Sequence, residues 1–293
     1  MLNFIKSKIA EEIYDHKFIE EKTGTPNNTK YFPEAITKMK NHYQLIINDP
    51  NKTKESQKNA NVPDELLISH ITPIPKIPNP SLLKNFRPIA CDSDIFKTME
   101  RVIKEELVHH LEKIKFLPKE QFGFRHGKST TTQMIIFQEH IVKEASAGKT
   151  IDVIYMDMEK AFDLLTFQEI ISKLKKAKVS GKLLKLLTIF ITQRKFLVKV
   201  NKSKSQITDS TSGVGQGFVL SAILFIIVFA QISEHLNLFK DILHFIFADD
   251  LKLAFSYYIN EFDPAILQNI LNELFTFCSE KSITINPTKS VHV

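Results

Sequence analysis

At 293 residues the chain has room for one large domain or two modest ones, taking about 150 residues per domain, and can bury a core without covalent staples. Its 43% hydrophobic and 25% charged residues exclude a disordered or collagen-like chain, and 39 Lys and Arg against 33 Asp and Glu give a mild +6. Two cysteines, Cys91 and Cys278, are too few for a disulfide framework and too far apart for a zinc knuckle, which points to a reducing, intracellular setting.

Residues 1–61 read as a polar extension with turn signals at Thr25-Pro26-Asn27 and Asn48-Asp49-Pro50. Without a small-residue cleavage site, the N-terminus shows no secretory signal, so the protein is expected to be intracellular and not secreted. A proline ladder, Ile71 to Pro80, excludes a helix and leaves an extended or edge strand. Asp94 is placed to cap an amphipathic helix carrying Ile95, Met99, Val102, Ile103, Leu107, Leu111 and Ile114 on one face. A second helix is predicted over 130–145.

The β-branched run Ile151–Met156 predicts a buried strand ending at Asp157. Thr166-Phe-Gln-Glu169 is a capping-box pattern opening a helix, and Lys195–Val200 predicts another strand. Gly213–Gly217 is a loop leading into an apolar helix from about Val219. The apolar run there, Phe218–Ala230, is shorter than the roughly 18 residues of a membrane span, so no membrane partner is expected. His244–Phe247, Ala248-Asp249-Asp250 and Leu251–Phe255 read as strand, tight turn and strand, and a final helix begins at Asp263. The order of elements suggests an α+β protein with a split βαβ layout.

Two features carry chemistry. From Ile170 to Thr208 there are eleven basic residues and no acid, among them Lys173, Lys175, Lys176, Arg194, Lys195 and Lys199. Such a block suits a phosphate backbone, and equally a solvated lysine-rich face. Asp157 at a strand end and Asp249-Asp250 in a turn are expensive beside hydrophobic strands unless compensated. Were the two strands neighbours, the carboxylates would converge, and a hard cation such as Mg²⁺ would relieve their repulsion. Two such ions about 3.5–4 Å apart serve phosphoryl transfer. On the residues alone, a turn and a strand-end cap explain the same acids.

The segments around these acids recur as a set. Met156-Asp-Met-Glu-Lys-Ala-Phe-Asp163, Gly213-Val-Gly-Gln-Gly-Phe-Val-Leu220 and Phe247-Ala-Asp-Asp250 resemble, in that order, three motifs of the non-LTR, LINE-type reverse transcriptases of the jockey kind. Asn85-Phe-Arg-Pro-Ile89 and Gln121-Phe-Gly-Phe-Arg125 resemble two fingers motifs upstream, and Leu271 to Ser290 the last palm segment. Thr23–Pro26 adds a fainter trace. The resemblance implies a right-hand polymerase: fingers over 62–149, a palm over 150–293 with fingers elements interleaved around 170–212, and no thumb. The palm would be a split βαβ antiparallel sheet with helices on one face.

It also implies roles. Asp157, Asp249 and Asp250 would be catalytic and hold two Mg²⁺ (Mn²⁺ being a substitute) with the Met158 carbonyl. Phe162, Gln216, Gly217, Arg87, Arg125 and Lys289 would bind the deoxynucleoside triphosphate: Phe162 under the sugar, the arginines on phosphates, Lys289 as proton donor to pyrophosphate. The partners would be an RNA or DNA template-primer and deoxynucleotides. Several positions depart from the family's usual residues: Gly215 for Pro, Phe218 for Ser, Ser221-Ala222 for Gly-Pro, Phe167 for His and Phe277 for Trp. Phe218 is expected to threaten the nucleotide pocket. These departures leave, as the alternative, an inactive or truncated remnant that only binds nucleic acid.

Overall fold

The computed structural model describes residues 62, 67–92, 94–159, 161–240 and 242–293. The polar extension and its trace at 23–26 lie outside the described residues. The strands are β1 (Ile68–Pro75), β2 (Phe86–Cys91), β3 (Thr150–Glu159), β4 (Lys195–Val200), β5 (Ser203–Lys204), β6 (Thr208–Asp209), β7 (Ile242–Phe247), β8 (Asp250–Tyr257) and β9 (Thr284–His292). The helices are α1 (Asp94–Lys113), α2 (Thr130–Ser146), α3 (Ala161–Leu164), α4 (Phe167–Lys176), α5 (Gly181–Thr192), α6 (Ser221–Leu236) and α7 (Pro264–Glu280). The mixed content matches the α+β expectation, and among the described residues no helix is long and apolar enough to cross a membrane.

The chain divides into two compact units. The first holds the described residues up to Leu107 together with Leu174–Ser221. Its sheet runs β2-β1-β4-β5, with β6 also on β4. Strand β1 is antiparallel to β2 over His70–Pro75 and parallel to β4 over Ile68–Ile71. Of the extended or edge strand expected from the prolines, the structure shows an extended strand that is not an edge of its sheet. Only His70 and Ile71 of β1 are paired on both sides, and the parallel pairing stops at Ile71, before Pro73 and Pro75, which have no N–H to give a ladder. Ile71, Ala90, Phe196, Val198 and Val200 form the core of this unit, with Phe218 packed against it.

The second unit holds Val108–Lys173 and Ala222–Val293. Its sheet is antiparallel throughout, in the order β7-β8-β3-β9. Phe122, Phe137, Val153, Phe245 and Ala254 form a core cluster, in which the Phe137 and Phe245 rings meet edge to face at 5.8 Å. Strand β3 runs two residues beyond the predicted end at Asp157, because β9 pairs with Met158 and Glu159. The Thr166 hydroxyl accepts from the Glu169 amide at 3.2 Å, as a capping box requires, and the Glu169 carboxylate accepts from Gln231 at 3.0 Å. Asp263 caps α7 through the Ala265 amide at 2.9 Å, with Pro264 at the first helical position.

Candidate active site

The acids of the second unit are placed by strand register. β3 and β8 pair from Thr150↔Tyr257 to Met156↔Leu251, so Asp157 lies one step past the last pair, at the end where Asp250 begins β8. β7 and β8 close on Phe247↔Asp250, leaving Ala248 and Asp249 as a two-residue tip. The carboxylates feel one another. Burial holds Asp249 above the usual carboxylate range, and the Asp157 charge adds to it; burial, then Asp249, then Asp157 push Asp250 the same way.

The tip is strained. Ala248 has φ +58°, at the first of the two tip positions, where glycine is the ordinary choice in such a hairpin. Its support comes from Gln121, which is 1% exposed. The Gln121 Oε1 accepts from the Ala248 amide at 3.1 Å and the Gly123 amide at 2.8 Å, while its Nε2 donates to the Ala248 carbonyl at 3.4 Å. A Cβ on Gly123 would stand 2.3 Å from the Ala248 nitrogen, so only glycine lets this segment lie so close. The segment also bonds along β7, with Phe122 N donating to Ile246 O at 2.7 Å and Ile246 N to Glu120 O at 2.9 Å. Sequence reasoning assigned Gln121 no role, although its motif was in view, because its partner Ala248 lies 127 positions away and the left-handed tip appears only in the structure.

Lys289 lies on Asp157. Its Nζ is 3.0 and 3.2 Å from the two carboxylate oxygens, and Asn286 Nδ2 is 3.5 Å from one of them. A bulge brings it there: Tyr155 faces Val291 and Asp157 faces Asn286, so residues 287–290 of β9 stand against Met156 alone. Phe162 is half-buried and stacks on Phe225 at 4.1 Å, which stacks on Phe229 at 4.1 Å. The Met158 side chain is buried, with its backbone opposite Ile285.

The structure corrects two assignments. Arg125, expected to grip phosphate, donates to Glu112 from Nε at 2.9 Å and from one arm at 2.7 Å, while its other arm donates to the Pro118 carbonyl at 2.6 Å. A guanidinium so engaged holds its own loop. Arg194, expected in the nucleic-acid surface, is buried at 8% exposure, bonded to Asp92 at 3.1 Å and Glu100 at 2.6 Å. Arg194 finds its counter-charges about a hundred residues upstream. Arg87 is exposed on β2, and Lys175, Lys176, Lys195 and Lys199 are exposed; Lys173 is half-buried. Lys195 lies 3.6 Å from Asp209.

In the first unit, Gln216 and Gly217 sit on β2. The Gln216 carbonyl accepts from the Ala90 amide at 2.7 Å. Gly217 has φ +112°, and a Cβ there would stand 2.4 Å from the Ala90 oxygen. The Phe218 ring packs against the core and lies 3.5 Å from the Arg194 guanidinium carbon.

Among the described residues no group of three or more His, Cys, Asp and Glu is placed to hold a metal ion. The donor set still fits a hard divalent ion. Mg²⁺ is bound through one or two carboxylates, waters and substrate phosphates rather than by an all-protein cage. Here two adjacent acids are held above their ordinary range, and an ammonium stands as the cation on a third.

Solved structures of similar fold include telomerase from Candida albicans with a TWJ fragment of telomeric RNA, at a TM-score of 0.59 and 15% identity over 87% of this chain and 47% of that one. Apo telomerase from Candida tropicalis, truncated from the C-terminal domain, gives 0.57 and 16% over 80% and 51%. The fold is that of polymerase fingers and palm. The family model for reverse transcriptase (RNA-dependent DNA polymerase) matches residues 74–293, and the chain belongs to that family, in its LINE-type branch. A probable RNA-directed DNA polymerase from transposon BS of Drosophila melanogaster is 30% identical over 71% of the chain and 23% of its own length. The RNA-directed DNA polymerase from mobile element jockey of the same organism is 26% identical over 73% and 24%. The chain thus spans less than a quarter of these curated relatives.

Proposed function

We propose that the chain is an RNA-directed DNA polymerase domain, extending a primer 3′-hydroxyl by attack on the α-phosphate of a deoxynucleoside triphosphate opposite a template. The observation that carries this is the register that sets Asp157 beside the Asp249-Asp250 hairpin. In this reading β3 and β7–β9 with α6 and α7 are the palm, and β1, β2 and β4 with the segment around 174–212 belong to the fingers. Asp157 and Asp249, aided by Asp250 and the Met158 carbonyl, would hold Mg²⁺, which when bound supplies charge stabilisation to the transferring phosphoryl group. Gln121 keeps the Asp249 tip in its strained shape. Phe162, fixed by its stack on Phe225, offers a flat ring against the sugar. Lys289 holds the charge of Asp157 until triphosphate oxygens compete for the ammonium. Gln216, Gly217 and the exposed Arg87 of the first unit are assigned to nucleotide binding in this reading.

The test is primer extension with Mg²⁺ and deoxynucleotides on the chain and on Asp157→Asn and Asp249→Asn. Each substitution is expected to lower the rate at least about a hundredfold, the weight of a lost metal ligand in phosphoryl transfer. Extension surviving both would end the assignment. A chain that shifts labelled RNA yet extends nothing would be the binding remnant.

A further inference from the structure

Arg194 is held from every side within the first unit. Its Nε donates to the Phe190 carbonyl at 2.9 Å, one arm reaches Asp92 at 3.1 Å and Ser69 at 3.4 Å, and the other reaches Glu100 at 2.6 Å. The Phe96 ring lies 4.8 Å from the guanidinium carbon and the Phe218 ring 3.5 Å from it. Glu100 then reaches the loop directly, accepting from the Val219 amide at 3.0 Å through its second oxygen. Ser221 closes the loop by donating to the Gly215 carbonyl at 2.6 Å.

Gly215 completes the arrangement. It is absent from the residues with positive φ, so its backbone does not demand glycine. Its space does, since a Cβ there would stand 2.3, 2.8 and 3.0 Å from three carbons of the Phe218 ring. The ring fits because that face of residue 215 is bare. Gly215 and Phe218 look like separate departures in the sequence, yet each is the condition of the other.

We propose that Arg194, Gly215 and Phe218 act as one positioning device, a ring clasped between a guanidinium and a bare glycine, which fixes the Gln216–Gly217 turn on Ala90. The proposal deepens the polymerase reading, on which its nucleotide consequence rests. The clasp turns the Phe218 ring toward Arg194 and the core, which is why a bulky residue is tolerated beside Gln216.

The test is a cycle on the full chain of Gly215→Ala, Phe218→Ser and the double variant, with amide exchange at Val219 as the first readout. Each single substitution is expected to speed that exchange about tenfold, the weight of one desolvated cation–π contact. The double variant is expected to exchange no faster than Phe218→Ser alone, because alanine meets nothing once the ring is gone. Effects that simply multiply would overturn the proposal. Should Phe218→Ser fail to fold, Gly215→Ala alone decides, and unchanged exchange at Val219 overturns it. In primer extension, Gly215→Ala is expected to raise the deoxynucleotide KM severalfold with kcat little changed; a fall in kcat at constant KM would overturn the positioning role. If the unsubstituted chain extends no primer, the polymerase reading fails by itself, while the exchange cycle still decides the clasp.

Discussion

Asp249 sits where a stabilising side chain would not be chosen. Burial raises its pKa first and Asp157 second, so the folded protein holds a proton there more tightly than the unfolded chain. In the window above the ordinary value of 3.8 the folded state binds more protons, and stability falls as pH rises through it. The loss persists at neutral pH, where the carboxylate is ionised in both states. Asp249→Asn is therefore expected to raise the thermal midpoint at pH 7. The gain should vanish below pH 3.8, where the acid is already protonated. Mg²⁺ should raise the midpoint of the original chain and leave the variant unmoved. A substitution that stabilises the fold while abolishing extension marks a residue kept for chemistry; one that lowers the midpoint at pH 7 would mark Asp249 as structural.

At the scale of elements, what could be read from the sequence was local. The β7 and β8 hairpin and α2 followed from periodicity and turn residues, and the structure places them within a residue or two of the expected bounds. Strand β9 was not foreseen, because its Asn286-Pro287-Thr288-Lys289 is turn-like and pairs on one side only, as the sheet's edge. The Lys289–Asp157 contact spans 132 positions and had no local signal, nor did the contacts of Arg194 with Asp92 and Glu100. Of the candidate site, the acids were legible and their supports were not. Gln121 shows the consequence. Gln121→Ala removes the acceptor for two buried amides, Gly123 and Ala248, and is expected to cost about 2 kcal/mol or more, since a buried donor left unpaired carries its full desolvation penalty. Chemical denaturation measures that loss. Mg²⁺ titration of the folded variant should show weakened binding, because the strained tip presents Asp249; unchanged stability and affinity would mean that the tip holds its shape unaided.

Over the whole molecule, the +6 charge matters less than where its members stand once Arg194 is withdrawn into the interior. On the hairpin of β4 and β5, Lys199 lies directly opposite Lys204, both exposed. Like charges so paired destabilise a two-stranded ribbon, and their field is felt at His70, whose pKa is lowered by burial first and then by Lys204 and Lys199. An anionic partner is the natural relief, so this hairpin is the place where the cost in the free protein and the gain in a complex should be separable. Lys204→Glu replaces the repulsion with a cross-strand ion pair and is expected to stabilise the free chain by a few tenths of a kcal/mol, about what an exposed pair contributes. The same change should weaken binding to single-stranded RNA and lower the slope of log K against log salt by about 0.7 for the lost lysine, and further for the repelling glutamate. Arg194→Lys, by contrast, should leave that slope unchanged, because a buried guanidinium releases no counterions from a bound strand. Fluorescence anisotropy over a range of salt concentrations decides between the two. A salt slope that responds to Arg194 and ignores Lys204 would move the nucleic-acid surface away from this hairpin.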